Sequence, residues 1–320
     1  MARQWQKRGL VMDLNEISLP RGYVSHAQSP QVLQFDDFVR VYFSTRSVDT
    51  VNGKFLSHIS YLDVTSDLRS MIGLCQHEVL PLGGLGCFDE HGVFPMNVLR
   101  VGDEVWGYTT GWNRRASVSV DTAIGLVCSK DAGRTFERTS AGPVLAPSLH
   151  EPFLVGDAFV QFYNGLFHMW YIFGTRWQRY GADSAPERVY KIGHTTSHDG
   201  IAWRPCGGRQ IIADVIGIDE CQALPTVVQF EGRYHMFFCF REAHDFRATS
   251  GRGYRLGHAV SDDLLVWSRD DTFAPPLGQP GDWDAEMQCY PHAFVRDGQL
   301  VLLYNGDRFG ARGFGAAVLQ

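Results

Sequence analysis

Val160–Tyr171 reads VQFYNGLFHMWY and Val228–Phe238 reads VQFEGRYHMFF, the same segment apart from a one-residue gap. Each is a β-rich run, a tight turn containing glycine, and a second run rich in aromatics, which is the pattern of a hairpin. Working outward, the pattern recurs as VLQFDDFVRVYF from Val32, VLRVGDEVWGY from Val98 and FVRDGQLVLLY from Phe294. Ahead of the five hairpins stand Pro30, Pro95, Asp157, Pro225 and Pro291, separated by 65, 62, 68 and 66 residues. A repeat of this period is the signature of an architecture built from copies of one supersecondary unit.

A second signature lies later in the unit, an alternating strand followed by a Ser/Asp turn and an aromatic that opens another strand. It appears as IGLVCSKDAGRTF ending at Phe136, KIGHTTSHDGIAW ending at Trp203 and RLGHAVSDDLLVW ending at Trp267. Four strands per unit, with no long helical period between units, predict an all-β, five-bladed β-propeller of four-stranded antiparallel blades. The fifth unit runs out after three strands, and QWQKRGLVM at the N-terminus supplies the fourth, with Trp5 in the place of Trp203 and Trp267. That closure removes an exposed sheet edge. A β-sandwich shares the short-strand patterning but gives no reason for the Trp5 segment. The predicted single domain therefore has blades at about 26–84, 88–147, 150–213, 219–277 and 284–320 plus 1–19.

Composition narrows the function. A net charge of −6 provides no basic stripe for nucleic acid, and no apolar run is long enough for a signal segment or a membrane span, so a cytoplasmic protein is expected. Seven scattered cysteines form no CxxC or Cys/His spacing, which predicts neither a disulfide framework nor a zinc site.

In a propeller, the loops entering each innermost strand and those leaving the second strand open on one face. The entering loops read SHAQSP, DEHGVFP, EPFLVGD, DECQALP and AEMQCYP, so four of five carry a carboxylate near one register: Asp89 and Glu90, Glu151, Glu220, and Glu286 with Asp284 beside it. The leaving loops carry arginines in every blade, namely Arg46, Arg114 and Arg115, Arg176 and Arg179, Arg241 and Arg247, and Arg308 and Arg312. These acids and guanidiniums serve either as salt bridges between blades or as a ligand site. Trp112, Trp177, Tyr180 and Phe246 in the same loops favour a ligand, because flat aromatic faces suit sugar rings. Paired carboxylates are the equipment for glycosidic cleavage, one as proton donor and one as base or nucleophile. His26 and His91 are candidate partners for sugar hydroxyls or acid/base groups. The abundance of arginine points to an anionic group on the substrate, such as a phosphate or a uronate.

At this point the chain resembles the five-bladed propeller glycosidases, the β-fructosidase and arabinanase/xylosidase-like group that also includes mannoside phosphorylases. The resemblance implies that Glu151, in His150-Glu151-Pro152, is the general acid and that Asp89 or Glu90 matches the residue that tunes it. The first-blade base of those enzymes has no counterpart here, since Ser25-His26 stands in its place. Glu220 or Glu286 then takes the base role, or the chemistry is phosphorolysis, or the site only binds. No cofactor is expected; a calcium ion in the channel occurs in some relatives and is neither demanded nor excluded. SKDAGRTF also matches the sialidase Asp-box and reads as a turn motif.

Overall fold

The computed structural model describes residues 3–320, and the chain is all-β apart from a one-turn helix and a 3-10 turn. The first two residues of the predicted 1–19 segment lie outside the described residues. After strand β1 (Trp5–Asp13), the first antiparallel unit comprises β2 (Ser25–Gln34), β3 (Phe38–Val48), β4 (Phe55–Thr65) and β5 (Met71–Leu74). The second comprises β6 (Gly92–Val101), β7 (Glu104–Arg114), β8 (Val120–Ser129) and β9 (Glu137–Arg138). These two units are joined into one eight-stranded sheet by a single parallel bridge, Ser57 to Gly92. The third unit has three strands, β10 (Val155–Tyr163), β11 (Leu166–Gln178) and β12 (Glu187–Ser197). The fourth has β13 (Glu220–Phe230), β14 (Arg233–Glu242), β15 (Arg255–Ser261) and β16 (Ser268–Arg269). The last runs β17 (Cys289–Arg296), β18 (Gln299–Asn305) and β19 (Gly313–Leu319), and β1 completes it.

The pairing of β1 with β19 extends from Trp5 opposite Leu319 to Asp13 opposite Gly313. Trp5 donates its indole N–H to the Phe273 carbonyl at 2.6 Å and meets the Phe237 ring edge-on, so the strand is anchored by a half-buried aromatic contact as well as by its ladder. The aromatics at the Ser/Asp turns do the same job one unit back. Phe136 packs on Tyr42, Trp203 on Tyr108 and Trp267 on Trp170, at centroid separations of 5.8, 6.0 and 6.4 Å. Each turn is fastened by its own serine and aspartate, as when Asp131 accepts from the N–H groups of Arg134 and Thr135 and holds its carboxyl at about 2. Burial opposes that shift, and the hydrogen bonds outweigh it.

The first strands of successive units pack side by side: β2 on β6, β6 on β10, β10 on β13, β13 on β17, and β17 back on β2. That closed order places Gln31, Asn97 and His292 together, with the Gln31 side-chain carbonyl 3.3 Å from Asn97 Nδ2 and 3.1 Å from His292 Nδ1. Asn97 Oδ1 and His292 Nε2 accept in turn from the Val160 and Val32 N–H groups, so the trio also ties neighbouring first strands together. No helix among the described residues is long and apolar enough to cross a membrane.

Candidate active site

The prolines that mark the repeat sit at an irregularity in each first strand. Pairing skips between Gln28 and Gln31, Val93 and Met96, Gly156 and Phe159, Ala223 and Thr226, and Cys289 and His292. At this point Ser29, Asp157, Leu224 and Tyr290 adopt left-handed φ angles of 55°, 52°, 46° and 58°. A bulge re-aims the side chain it carries, and Phe94, Asp157 and Tyr290 from three of these bulges line a cavity of about 410 Å³.

In the pairing register Asp157 stands level with Ser29, Phe94, Leu224 and Tyr290, and Ala158 takes the place that proline holds in the other four units. Aspartate tolerates the left-handed region better than most residues, and its N–H donates to Thr110 Oγ1 at 2.6 Å. Its carboxylate is 9% exposed and accepts one long bond, from Leu224 N–H at 3.4 Å. Burial raises its pKa to about 7, although the Leu224 N–H and the charge of Arg188 pull the other way. A carboxyl group that holds its proton near neutrality is suited to general acid chemistry.

Around it the wall is cationic and aromatic. Arg46, Arg188, Arg241 and Arg247 line the cavity with Tyr190, Tyr254, Trp112 and Phe246, and Asp157 is the one carboxylate among the lining residues. Among the described residues, Arg46, Arg188 and Arg241 have no carboxylate within 4.0 Å. Arg241 is 3% exposed; it donates to Tyr190 Oη at 3.0 Å and to the Glu242 carbonyl at 2.7 Å, and its Nε has no partner. Burying a guanidinium without a counter-ion costs several kcal/mol, on the order of what a bound anion returns. His26, also on the wall, has its pKa lowered to about 4 by burial and by Arg46 and Arg308, so it is a neutral hydrogen-bonding group at pH 7.

The carboxylates expected to converge on this space do not line it. Asp89, Glu151 and Glu220 are 1%, 0% and 0% exposed, and each is turned toward the outer part of its own unit. Asp89 accepts Arg138 from β9 at 2.5 Å, Glu220 accepts Arg269 from β16 at 2.6 Å, and Asp284 accepts Lys7 from β1 at 2.6 Å. Burial raises the Glu220 pKa, but the Val215 N–H and Arg269 outweigh it and hold the carboxyl below the usual range. Glu151 has no cation partner among the described residues; Tyr171 Oη at 2.9 Å and Gly208 N–H at 3.0 Å donate to it, with Cys206 Sγ at 3.1 Å. These acids close each sheet by tying the segment before its first strand to its last strand or to the segment that replaces it. Glu90 is also off the wall, accepting the Gly86 N–H at 3.0 Å, and Glu286 is exposed in a neighbouring hollow it shares with Asp307 and Arg308.

Of the expected binding residues, His26, Arg46, Trp112 and Arg241 line the cavity, and Arg308 lies in the adjoining hollow. His91 stacks behind Trp112 at 5.7 Å. Arg115 is spent on Asp121 at 3.2 Å and Arg176 on Asp219, and Trp177 packs beside Arg188. Sequence reasoning missed Asp157 and Arg188 as site residues. The signal for the first lay one residue away, since Ala158 beside it is the single break in a proline column. Arg188 lies opposite Trp177 in the β11–β12 register, beyond the leaving-loop arginines that defined the expected set. Among the described residues, no group of three or more His, Cys, Asp or Glu is placed to hold a metal ion.

No family model matches the chain. Among solved structures, the chain superposes with a TM-score of 0.66 on the β-1,2-mannobiose phosphorylase of Listeria innocua, at 13% identity over 99% of this chain and 96% of that one. A thermostable family-43 glycoside hydrolase gives 0.61 at 16% identity, covering 94% and 90%. An exo-1,5-α-L-arabinanase from a bovine ruminal metagenomic library gives 0.63 at 11% identity, covering 95% of each chain. In sequence, the uncharacterized protein Rv1502 of Mycobacterium tuberculosis strain ATCC 25618 / H37Rv is 33% identical over 322 aligned residues, 99% of either chain. Uncharacterized protein MT1551 of strain CDC 1551 / Oshkosh matches equally, at 33% over the same length. The chain belongs to the family of these mycobacterial proteins, and its fold is that of the propeller glycoside hydrolases and phosphorylases.

Proposed function

We propose that the five units are the blades of one propeller domain and that its central cavity cleaves a glycosidic bond, with Asp157 as proton donor and an oxyanion held by arginine as the attacking group. The observation that carries this reading is a wall with one carboxyl group, Asp157, among four guanidiniums of which Arg46, Arg188 and Arg241 lack carboxylate partners among the described residues. Hydrolysis by the usual route needs a second carboxylate to activate water or to attack the anomeric carbon. Phosphate needs no such base, because it is already ionised, and arginine forks offset its charge. Phosphorolysis is therefore favoured over hydrolysis.

In that reaction Asp157 gives its proton to the glycosidic oxygen as the bond from that oxygen to the anomeric carbon breaks. The bonding pair leaves with the oxygen, and a phosphate oxygen forms the new bond to carbon. Asp157 is left ionised beside Arg188 and regains a proton from solvent. Trp112 and the tyrosines offer flat faces to the sugar, and neutral His26 can donate to or accept from a hydroxyl. The likeness to a mannobiose phosphorylase supports the reading at the level of fold. A cytoplasmic location, as the sequence leads one to expect, supplies phosphate.

The test is incubation of purified protein with a panel of disaccharides and aryl glycosides, with and without phosphate, followed by phosphorus NMR for sugar 1-phosphates. Phosphate-dependent release that falls by roughly 10²–10⁴-fold in Asp157→Asn is expected. Release of free sugar that ignores phosphate would return the reaction to hydrolysis, and turnover that survives Asp157→Asn would remove the proposed acid.

A further inference from the structure

The guanidinium groups facing the cavity form two sets. The inner set is Arg241, buried against Tyr190, with Arg188, whose charge acts on Asp157. The outer set is Arg46, half-buried and donating to Gln28 Oε1 at 3.1 Å, and Arg247, exposed and in contact with Glu187 at 3.2 Å. Phe246 is shared by the two sets: the guanidinium carbons of Arg241 and Arg247 lie 3.5 Å and 4.1 Å from its ring centroid. Arg241 and Arg247 are thus within the sum of those distances of each other.

Charge gives the same division. Three of the four arginines have no carboxylate partner among the described residues, the fourth has a solvent-screened one, and Asp157 is the one acid on the wall. One orthophosphate on the inner set leaves Arg46 uncompensated. Backbone strain gathers around the whole cavity, with left-handed φ angles at Asp157 (52°), Tyr290 (58°), His26 (68°) and Phe309 (59°). Strain of this kind costs about 1–3 kcal/mol per residue and concentrates at ligand clamps.

We propose that the oxyanion these arginines favour as the attacking group is a diphosphate, with one phosphoryl group on Arg241 and Arg188 and the next on Arg46 and Arg247. This rests on the reading of the cavity as a site for carbohydrate and oxyanion. A linked pair of phosphoryl groups spans the two sets and matches their charge, and Tyr254 and Phe309 close the side between them.

Titration calorimetry on the full-length protein with inorganic phosphate and inorganic pyrophosphate, at fixed ionic strength, tests the proposal. Wild type is expected to bind pyrophosphate at least about tenfold more tightly than phosphate, the worth of one further charge-assisted contact. In Arg46→Gln/Arg247→Gln, two rim positions whose loss leaves the core intact, that ratio is expected to fall to within about threefold. Arg241→Lys should weaken both ligands together. Equal affinities in wild type, or an unchanged ratio in the double variant, overturn the proposal while leaving the cavity an anion site. Failure of both anions to bind removes the underlying reading as well. In competition against pyrophosphate, a nucleoside-diphosphate hexose should displace at lower concentration than the hexose 1-phosphate; the reverse order refutes a diphosphate site.

Discussion

Replacing Asp157 with asparagine is expected to make the protein more stable at pH 8 while removing its turnover. The folded-state pKa is about 7, against an ordinary 3.8. Between those values the folded protein keeps a proton that the unfolded chain has released, so folding stability is full below about 3.8 and declines as pH rises through 7. A displacement of about 3 units corresponds to a loss on the order of 4 kcal/mol by pH 8. Asparagine has the same shape, carries no charge at any of these pH values, and can still accept the 3.4 Å bond from Leu224 N–H. For a chain of 320 residues each kcal/mol is worth roughly 1.5 °C, so the variant should melt roughly 6 °C above wild type at pH 8. At pH 4 the two curves should meet. Scanning calorimetry across that range reads the effect directly, and activity in the same buffers should decline above pH 7 as the acid deprotonates. A variant that melts at or below wild type at pH 8 would show that the Asp157 carboxylate carries no burial penalty, and the assignment of the acid would lose its physical basis.

Glu151→Gln is expected to keep turnover within about tenfold of wild type, because Glu151 bonds to Tyr171 and Gly208 and not to the cavity; a loss of roughly 10²-fold or more in kcat would restore it as the acid. Arg269→Met should cost about 3–5 kcal/mol in urea unfolding, since it strands the buried Glu220 carboxylate, and adding Glu220→Met should recover most of that. If the double variant is no more stable than the single one, the pair is not what holds the fourth sheet closed. Trp5→Ala should lower stability by about 3 kcal/mol through its contacts with Phe237 and Phe273, measured by thermal unfolding, whereas an unchanged midpoint would mean the N-terminal strand contributes little to closure.

The repeat was legible because hairpins and Ser/Asp turns are local, and their residues are set by backbone angles that glycine, asparagine and aspartate supply. The placement of Trp5 was legible for the same reason, as a turn aromatic without its own turn. The direction in which the acids point was not. The spacing implied a column of Glu90, Glu151, Glu220 and Glu286, and the column that forms has Asp89 and Asp284 in the second and fifth units instead, because a carboxylate before a strand can face either the axis or the outer edge. Their partners decide, and these stand two residues after the turn aromatic: Arg138 after Phe136, Arg269 after Trp267 and Lys7 after Trp5. In the third unit that place belongs to Pro205, and Glu151 is held by neutral donors instead. An acid column matched by a basic column one strand away is a packing device, and only the pair of columns reveals it.

The same comparison turned round explains why Asp157 is different. In the other four units the first bulge residue is Ser29, Phe94, Leu224 or Tyr290, none of which can carry a charge at neutral pH. Aspartate in that place puts a carboxyl group into a wall of arginine and tyrosine, where burial holds its proton near neutrality. Nothing in the packing of the third unit asks for this, since its Asp157 side chain makes one long hydrogen bond to the fourth unit and no ion pair among the described residues. A carboxyl group buried without an ion-pair partner, where its equivalents are serine, phenylalanine, leucine and tyrosine, is placed at a cost to stability, and the cavity it faces is where that cost has a use.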